Sequence, residues 1–281
     1  MISFFRGISF FIAFFSCISN SHAICTDIEP KELYPGDAFV VRLTDKNPSD
    51  EASVRYGDVE IPLSGCGKDC LFGIGAVDMD TKPGEHRVVV VSGNYRHDMH
   101  FSVMPANFPE MKLKLPKSKV ALSSQDLARV KREEAMLKVI CKQMGPQLYR
   151  GDFILPLANP VSAVFGARRI MNNEIVSIHR GIDFRARRGE EIRSANNGRI
   201  VLAEELFFGG NTIVIDHGAG IFTIYMHLDG FAAKVGDPVK RGDVIGLAGS
   251  TGRATGPHLH FGVKILDIST NPLSLTRLKL N

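Results

Sequence analysis

The chain has 281 residues, a formal net charge of +4 and 44% apolar side chains, which gives room for two compact domains and excludes a disordered polymer. So mild a charge, with no Lys/Arg stripe interleaved with aromatics, excludes a nucleic-acid binder and leaves only a weak attraction to an anionic wall or membrane surface. Residues 1–23 hold one early charge, Arg6, an apolar run over 8–18 and the small-residue ending Ser21-His22-Ala23, the layout of a secretory signal peptide cleaved after Ala23. The run is shorter than the roughly 20 residues that cross a bilayer, so no stable membrane span is expected after cleavage. Cys17 raises a lipoprotein alternative, for which Phe14-Phe15-Ser16 is a poor match. The mature chain is thus expected to be exported, to the periplasm or cell envelope.

Cleavage leaves Cys25, Cys66, Cys70 and Cys141, an even number in a compartment where disulfides persist. Cys66 and Cys70 flank the turn-forming Gly67-Lys68-Asp69, so their bridge needs the least ordering, and Cys25 with Cys141 is the expected second pair. A Cys-only zinc site is the rival, disfavoured because there is no second close pair.

From 24 to 104 the sequence reads as short alternating strands between turns, at 38–43, 54–61, 71–77, 86–92 and 99–103, the spacing of a small β-sandwich. A Pro- and Lys-rich stretch over 108–119 is read as a linker without regular structure. Ser123 then offers an N-cap, with Asp126 three residues on and Leu127, Val130, Leu137, Ile140 and Met144 at helical spacing until Gly145-Pro146. Linker and helix together occupy 105–146. Residues 147–281 are again β-rich and full of glycine turns, with strands expected at 192–202, 212–216, 221–226, 244–247 and 258–265, and they read as an antiparallel β-domain. The fold class is therefore mostly β, with one helix between the two β-domains.

Five of the nine histidines fall in the last 103 residues, four of them in His179-Arg-Gly-Ile-Asp183, Tyr225-Met-His227-Leu and His258-Leu-His260. Catalytic zinc takes three protein ligands from His and Asp/Glu and keeps a position for water, so zinc chemistry accounts for the cluster economically. Alternation along a strand puts His258 and His260 on one face. Gly181 permits a bend that lets His179 and Asp183 converge. By the same alternation Thr223 and Tyr225 are expected on the face of His227, as site support or as packing. His217, in Asp216-His217-Gly218, is read as structural, and His97-Asp98-Met99-His100 as a solvated edge.

These residues carry a resemblance. From Phe165 to Pro272, the motifs Phe165-Gly166-x-Arg168, His179-x-Gly181-x-Asp183, Gly198-Arg199-Ile200-Val201, Asp216-His217-Gly218, Tyr225-Met226-His227-Leu228, Gly249-Ser250-Thr251-Gly252 and Thr255-Gly256-Pro257-His258-Leu259-His260-Phe261 resemble the lysostaphin-like (LytM-type) zinc metallopeptidases. The resemblance implies antiparallel sheets around a groove, a Zn2+ cofactor, and a metalloendopeptidase that hydrolyses peptide bonds of bacterial peptidoglycan, stem-peptide cross-links foremost. It assigns the metal to His179, Asp183 and His260, and leaves His227 and His258 as catalytic residues beside it. The alternative is a module that binds wall peptides or activates a partner hydrolase without cutting. Asn271-Pro272 departs from the Asp-Pro that relatives often have. Because some members of the family are latent, Asn107 or Gln147 is a candidate to cover the metal from upstream.

Overall fold

The computed structural model describes residues 24–45, 51–113, 122–171 and 175–280; the expected signal peptide and Cys17 lie outside these. Two sheets form the first β layer pair. One runs in the order Cys25–Glu29, Ala38–Thr44, Cys70–Ala76, Ser64–Gly67, the other Glu32–Leu33, Tyr95–Val103, Gly84–Ser92, Ala52–Tyr56, Val59–Ile61. Between them Phe39, Val41, Leu43, Val54, Val88, Val90 and Phe101 are buried. The expected strand over 54–61 is a hairpin instead, because Gly57 takes φ +57° and reverses the chain.

The opposite face of Ala38–Thr44 is buried as well. Ala38 and Val40, with Phe72, Ile74 and Ala76, join a second core that includes Phe165, Phe184, Tyr225 and Phe261. Because this strand is covered on both sides, the consecutive Ala38, Phe39, Val40 and Val41 are all buried. The two halves therefore share a core rather than hang on a tether. Gly36, at φ +93°, lies so close to the second half that a Cβ there would stand 2.2 Å from Phe165. From the far end of the chain, the short helix α2 (Pro272–Arg277) docks back on the first half: Ser274 Oγ accepts from the Ala38 amide at 2.8 Å, and Asn271 Nδ2 donates to Asp37 Oδ1 at 3.1 Å. An aspartate at 271 would set carboxylate against carboxylate, so the amide suits this junction.

The second half is one ten-stranded sheet whose path runs Val161–Ala163, Ile182–Arg185, His258–Ile265, Ile221–Phe231, Gly210–Asp216, Gly198–Leu206, Pro238–Val239. All its pairings along that path are antiparallel. The expected strand over 192–202 is two, Glu191–Arg193 and Gly198–Leu206, because Asn196 turns its side chain onto backbone, accepting from the amides of Arg150 and Asn197. The linker reading is corrected too. Glu110–Leu113 is a strand, parallel to Arg168–Met171 in a small three-stranded sheet with Ile175–Ile178. It is an edge strand, and Pro109 stands just before it, where a missing amide costs nothing.

Helix α1 (Ser124–Cys141) starts where the cap signal places it, with Ser123 Oγ accepting from the Asp126 amide at 3.1 Å. It ends at Cys141, before Gly145, and Cys141 is buried against Leu202, Leu206, Val214 and Phe222. Leu127 and Met144 of the predicted stripe are exposed.

Of the two expected disulfides, Cys66–Cys70 is formed. Cys25–Cys141 is not: Cys25 is exposed on the first strand, whereas Cys141 is sealed under α1 against the other half, and both are free thiols. Burial pushes the Cys141 thiol up to about 11, which removes the thiolate that reacts. Alkylation of the native protein followed by peptide mass spectrometry is therefore expected to label Cys25 and spare Cys141 until denaturant is added. A Cys25–Cys141 cross-linked peptide would contradict this arrangement.

Candidate metal and catalytic centre

One rung of the large sheet sets the site. Asp183 lies opposite His260, and Met226 opposite His260 on the other side, while Arg185 lies opposite His258. His179 follows the strand Ile175–Ile178 and is tied at its backbone, its amide to Ala167 O at 2.9 Å and its carbonyl to the Gly166 amide at 2.8 Å. Gly181 lets the chain fold in beside this rung, since a Cβ there would stand 2.7 Å from the His260 ring.

The result is a near-equilateral triangle of ligand atoms. His179 Nε2 to Asp183 Oδ1 is 2.9 Å, His260 Nδ1 to Asp183 Oδ1 is 2.8 Å, and His179 Nε2 to His260 Nδ1 is 2.9 Å. His179 Nδ1 lies 2.9 Å from the Val164 carbonyl, which only accepts, so Nδ1 carries the proton and Nε2 presents a lone pair. One proton, on His260 Nδ1, can serve the triangle; the remaining edge sets lone pair against lone pair. A cation resolves that repulsion, and with two imidazoles and one carboxylate the donor set suits a divalent metal such as zinc. Burial acts to raise the Asp183 pKa, but the neighbouring His179 and His260 imidazoles outweigh it and hold the carboxyl well below the usual carboxylate range. Arg169 adds an ion pair to the other carboxylate oxygen at 2.5 Å.

His227 and His258 stand together beside the triangle, ring centroids 4.6 Å apart, with His227 6.2 Å from His260. Both are pinned as His179 is: His227 Nδ1 lies 2.9 Å from Thr251 O, and His258 Nδ1 2.8 Å from Gly256 O. Each Nδ1–H therefore donates to a carbonyl, and each Nε2 is left as an acceptor. Burial, then the neighbouring His258 and His260, pushes His227 down to about 3, so it is neutral at ordinary pH.

The expected shared face of Thr223, Tyr225 and His227 is not what forms. His227 takes φ +65° and the pairing with Gly210–Asp216 slips beside it, so the alternation breaks and the imidazole swings to the site side. Thr223 and Tyr225 stay on the buried face, where Tyr225 packs on Phe261 and its hydroxyl accepts from the Ala195 amide at 2.9 Å. His217 completes that buried chain. Its Nδ1–H donates to Asn197 O at 2.7 Å and its Nε2 accepts from the Thr223 hydroxyl at 2.7 Å.

His97 and His100 are exposed on the first half, and Asp98 between them pairs with Arg87 at 2.9 Å. Neither Asn107 nor Gln147 lines the hollows at the site; Gln147 instead donates to Tyr149 O. Upstream cover comes from α1, whose Val130, Glu133 and Leu137 wall a hollow of about 210 Å³ that reaches His227 and His260. A second hollow of about 380 Å³ opens beside Asp183, His227 and His258. Arg169 and Arg253 line both hollows, and neither was identifiable from the sequence, where an arginine on a strand or in a glycine turn carries no spacing signal.

Burial pushes His217 down to about 4, from an ordinary 6.5. The unfolded chain then binds more protons between those values, so stability conferred by the neutral ring is full above pH 6.5 and is lost as pH falls toward 4, by about 3 kcal/mol. In the metal-free protein, His217→Gln is expected to flatten this part of the stability–pH curve measured by denaturant unfolding. An unchanged slope would show that His217 does not titrate on unfolding.

Residues 177–272 match Peptidase family M23. The DD-carboxypeptidase/endopeptidase Mpg of Neisseria meningitidis serogroup B is 38% identical over 115 residues, which cover 41% of this chain and 26% of that protein. The peptidoglycan DD-endopeptidase ShyB of Vibrio cholerae is 44% identical over 87 residues, covering 31% of this chain and 20% of that protein. The chain thus spans about a quarter or less of the length of these relatives. Among solved structures, a Pseudomonas aeruginosa protein assigned to peptidase M23 superposes with a TM-score of 0.68 at 27% identity, covering 86% of this chain and 94% of the other. The fold shared with that protein therefore extends over both halves, and the part of this chain that holds His179, Asp183, His227, His258 and His260 is a domain of peptidase family M23.

Proposed function

We propose that this chain is an exported zinc endopeptidase that hydrolyses peptide bonds of bacterial peptidoglycan, stem-peptide cross-links foremost. The observation that carries the reading is the triangle of His179, Asp183 and His260 donor atoms at 2.8–2.9 Å with two pinned imidazoles beside it. The names of the Neisseria and Vibrio relatives support the wall peptide as substrate. In this reading His179, Asp183 and His260 hold the metal, and zinc there supplies Lewis acidity toward a carbonyl and makes water more acidic. The carbonyl of Val164 fixes the His179 ring for that task, and Arg169 holds the second oxygen of Asp183.

The protons are handled by His227 and His258. With a scissile amide in the 380 Å³ hollow, a water oxygen bonds the carbonyl carbon while an Nε2 lone pair of one of these rings takes the water's proton. That ring, now imidazolium, has an Nε2–H to give. It returns the proton to the leaving nitrogen as the carbon–nitrogen bond breaks, yielding a free amine and a carboxylic acid whose remaining proton passes to solvent. A neutral ring pinned through Nδ1 offers only a lone pair, so the partner that has gained the proton is also the one able to hydrogen-bond the developing oxyanion.

Two substitutions separate the roles. His260→Ala is expected to lose zinc and activity together, whereas His227→Ala keeps stoichiometric zinc and loses about 100-fold or more in turnover. Metal content is read by elemental analysis of the folded proteins, and turnover by mass spectrometry of muropeptides released from purified peptidoglycan. Zinc retained at full occupancy by His260→Ala would remove the ligand assignment, and digestion that frees no new amine would remove the peptidase.

A further inference from the structure

The hollow beside His227 and His258 carries an unbalanced charge. Three arginines line it, Arg169, Arg185 and Arg253, against one carboxylate, Asp183. Asp183 is already committed, to Arg169 on one oxygen and to His179 and His260 on the other. Among the described residues no carboxylate pairs with Arg185 or Arg253.

Both free cations are placed rather than scattered. Arg185 follows Asp183 by two on the same strand, which puts the two on one face, and its Cα partner across the sheet is His258. Arg253 is fixed by stacking, its guanidinium carbon 3.8 Å from the Phe208 ring centre, and its amide donates to Phe208 O at 2.9 Å. Burial, then the nearby charge of Arg169, presses the Arg253 cation toward the neutral form, so a bound anion relieves a cost already present. Arg169 Nε is a buried donor with no partner among the described residues. A planar, bidentate group answers such donors best, and on a peptide that group is a carboxylate.

We propose that Arg185 and Arg253 form a carboxylate clamp flanking His227 and His258, so that the site selects peptides with a free carboxylate on the residue next to the scissile bond. The inference rests on the peptidase reading above and narrows its substrate class. It sets cross-linked stem peptides with a free acid there apart from uncharged glycine bridges.

The test uses the zinc-loaded full chain and two synthetic cross-linked stem-peptide dimers that differ only in a free acid or an amide on that residue. The native protein is expected to prefer the acid by about tenfold to a hundredfold in kcat/KM, the scale of charge-assisted hydrogen bonds. Arg185→Gln and Arg253→Gln each lower that ratio, chiefly through KM, the double variant brings it close to one, and Arg185→Lys retains part of it. Arg185 is exposed, so Arg185→Gln alone serves if the double variant fails to fold. A native ratio near one, or a ratio unchanged in folded Arg185→Gln, overturns the clamp. Affinity of the same dimers, followed by fluorescence anisotropy, does not depend on turnover. Acid-selective binding that Arg185→Gln abolishes, without any hydrolysis, upholds the clamp and sinks the peptidase reading; equal affinity for acid and amide overturns the clamp itself.

Discussion

The site depends on one register. Because Asp183 pairs with His260 across the strands Ile182–Arg185 and His258–Ile265, a carboxylate oxygen and an imidazole nitrogen meet at 2.8 Å, and His179 closes the triangle from the strand end. A slip of one residue would turn His260 to the opposite face and put Leu259 in its place. The core prevents that slip: Phe184, Leu259 and Phe261 alternate with the site residues and are fully buried on the other side. Packing on one face thus fixes chemistry on the other, and three lone-pair donors are held close together without a proton for each.

The rest of the site orients imidazoles. His179, His227 and His258 each spend Nδ1–H on a backbone carbonyl, of Val164, Thr251 and Gly256. Two loops, the one after Val161–Ala163 and the one between Val244–Ala248 and His258–Ile265, therefore aim three Nε2 atoms inward, and it is the turns, not the strands, that decide the tautomers. The αL conformation of His227 belongs to the same logic. For a residue with a side chain it is costly, of order 1–3 kcal/mol, and here it brings the ring within 4.6 Å of His258. On the reverse of the same strand, the buried chain of His217, Thr223 and Tyr225 holds the backbone that this kink leaves.

Much of this was legible in the sequence because it follows from period. The spacing of His258 and His260 gave a shared face since no bulge lies between them, and the cap at Ser123 gave the start of α1. The failures have equally physical causes. Alternation misplaced Thr223 and Tyr225 relative to His227 because a bulge leaves no mark in the residue pattern. Cys25 and Cys141 are an even remainder by counting, but counting does not reveal that they face different layers. The strand Glu110–Leu113 hid in a Pro- and Lys-rich stretch because its partner, Arg168–Met171, is far along the chain and pairing of that range has no local signature. Arg185 and Arg253 were silent for a similar reason: only the assembled hollow shows two cations that no carboxylate pairs among the described residues.

The shared core also bears on how the two β halves act together. With Ala38, Val40, Phe72 and Ile74 packed into the core of the second half, the first half is part of the scaffold under the site, and α1 walls one approach to it. The claim on which everything else turns is that the triangle is a metal site. Zinc-edge anomalous diffraction from crystals of the zinc-loaded protein tests it most directly. The account predicts one strong peak within bonding distance of His179 Nε2, an oxygen of Asp183 and His260 Nδ1, with His227 and His258 close by but not bonded. A peak ligated by His227 and His258, or none at the triangle in fully loaded protein, would contradict it.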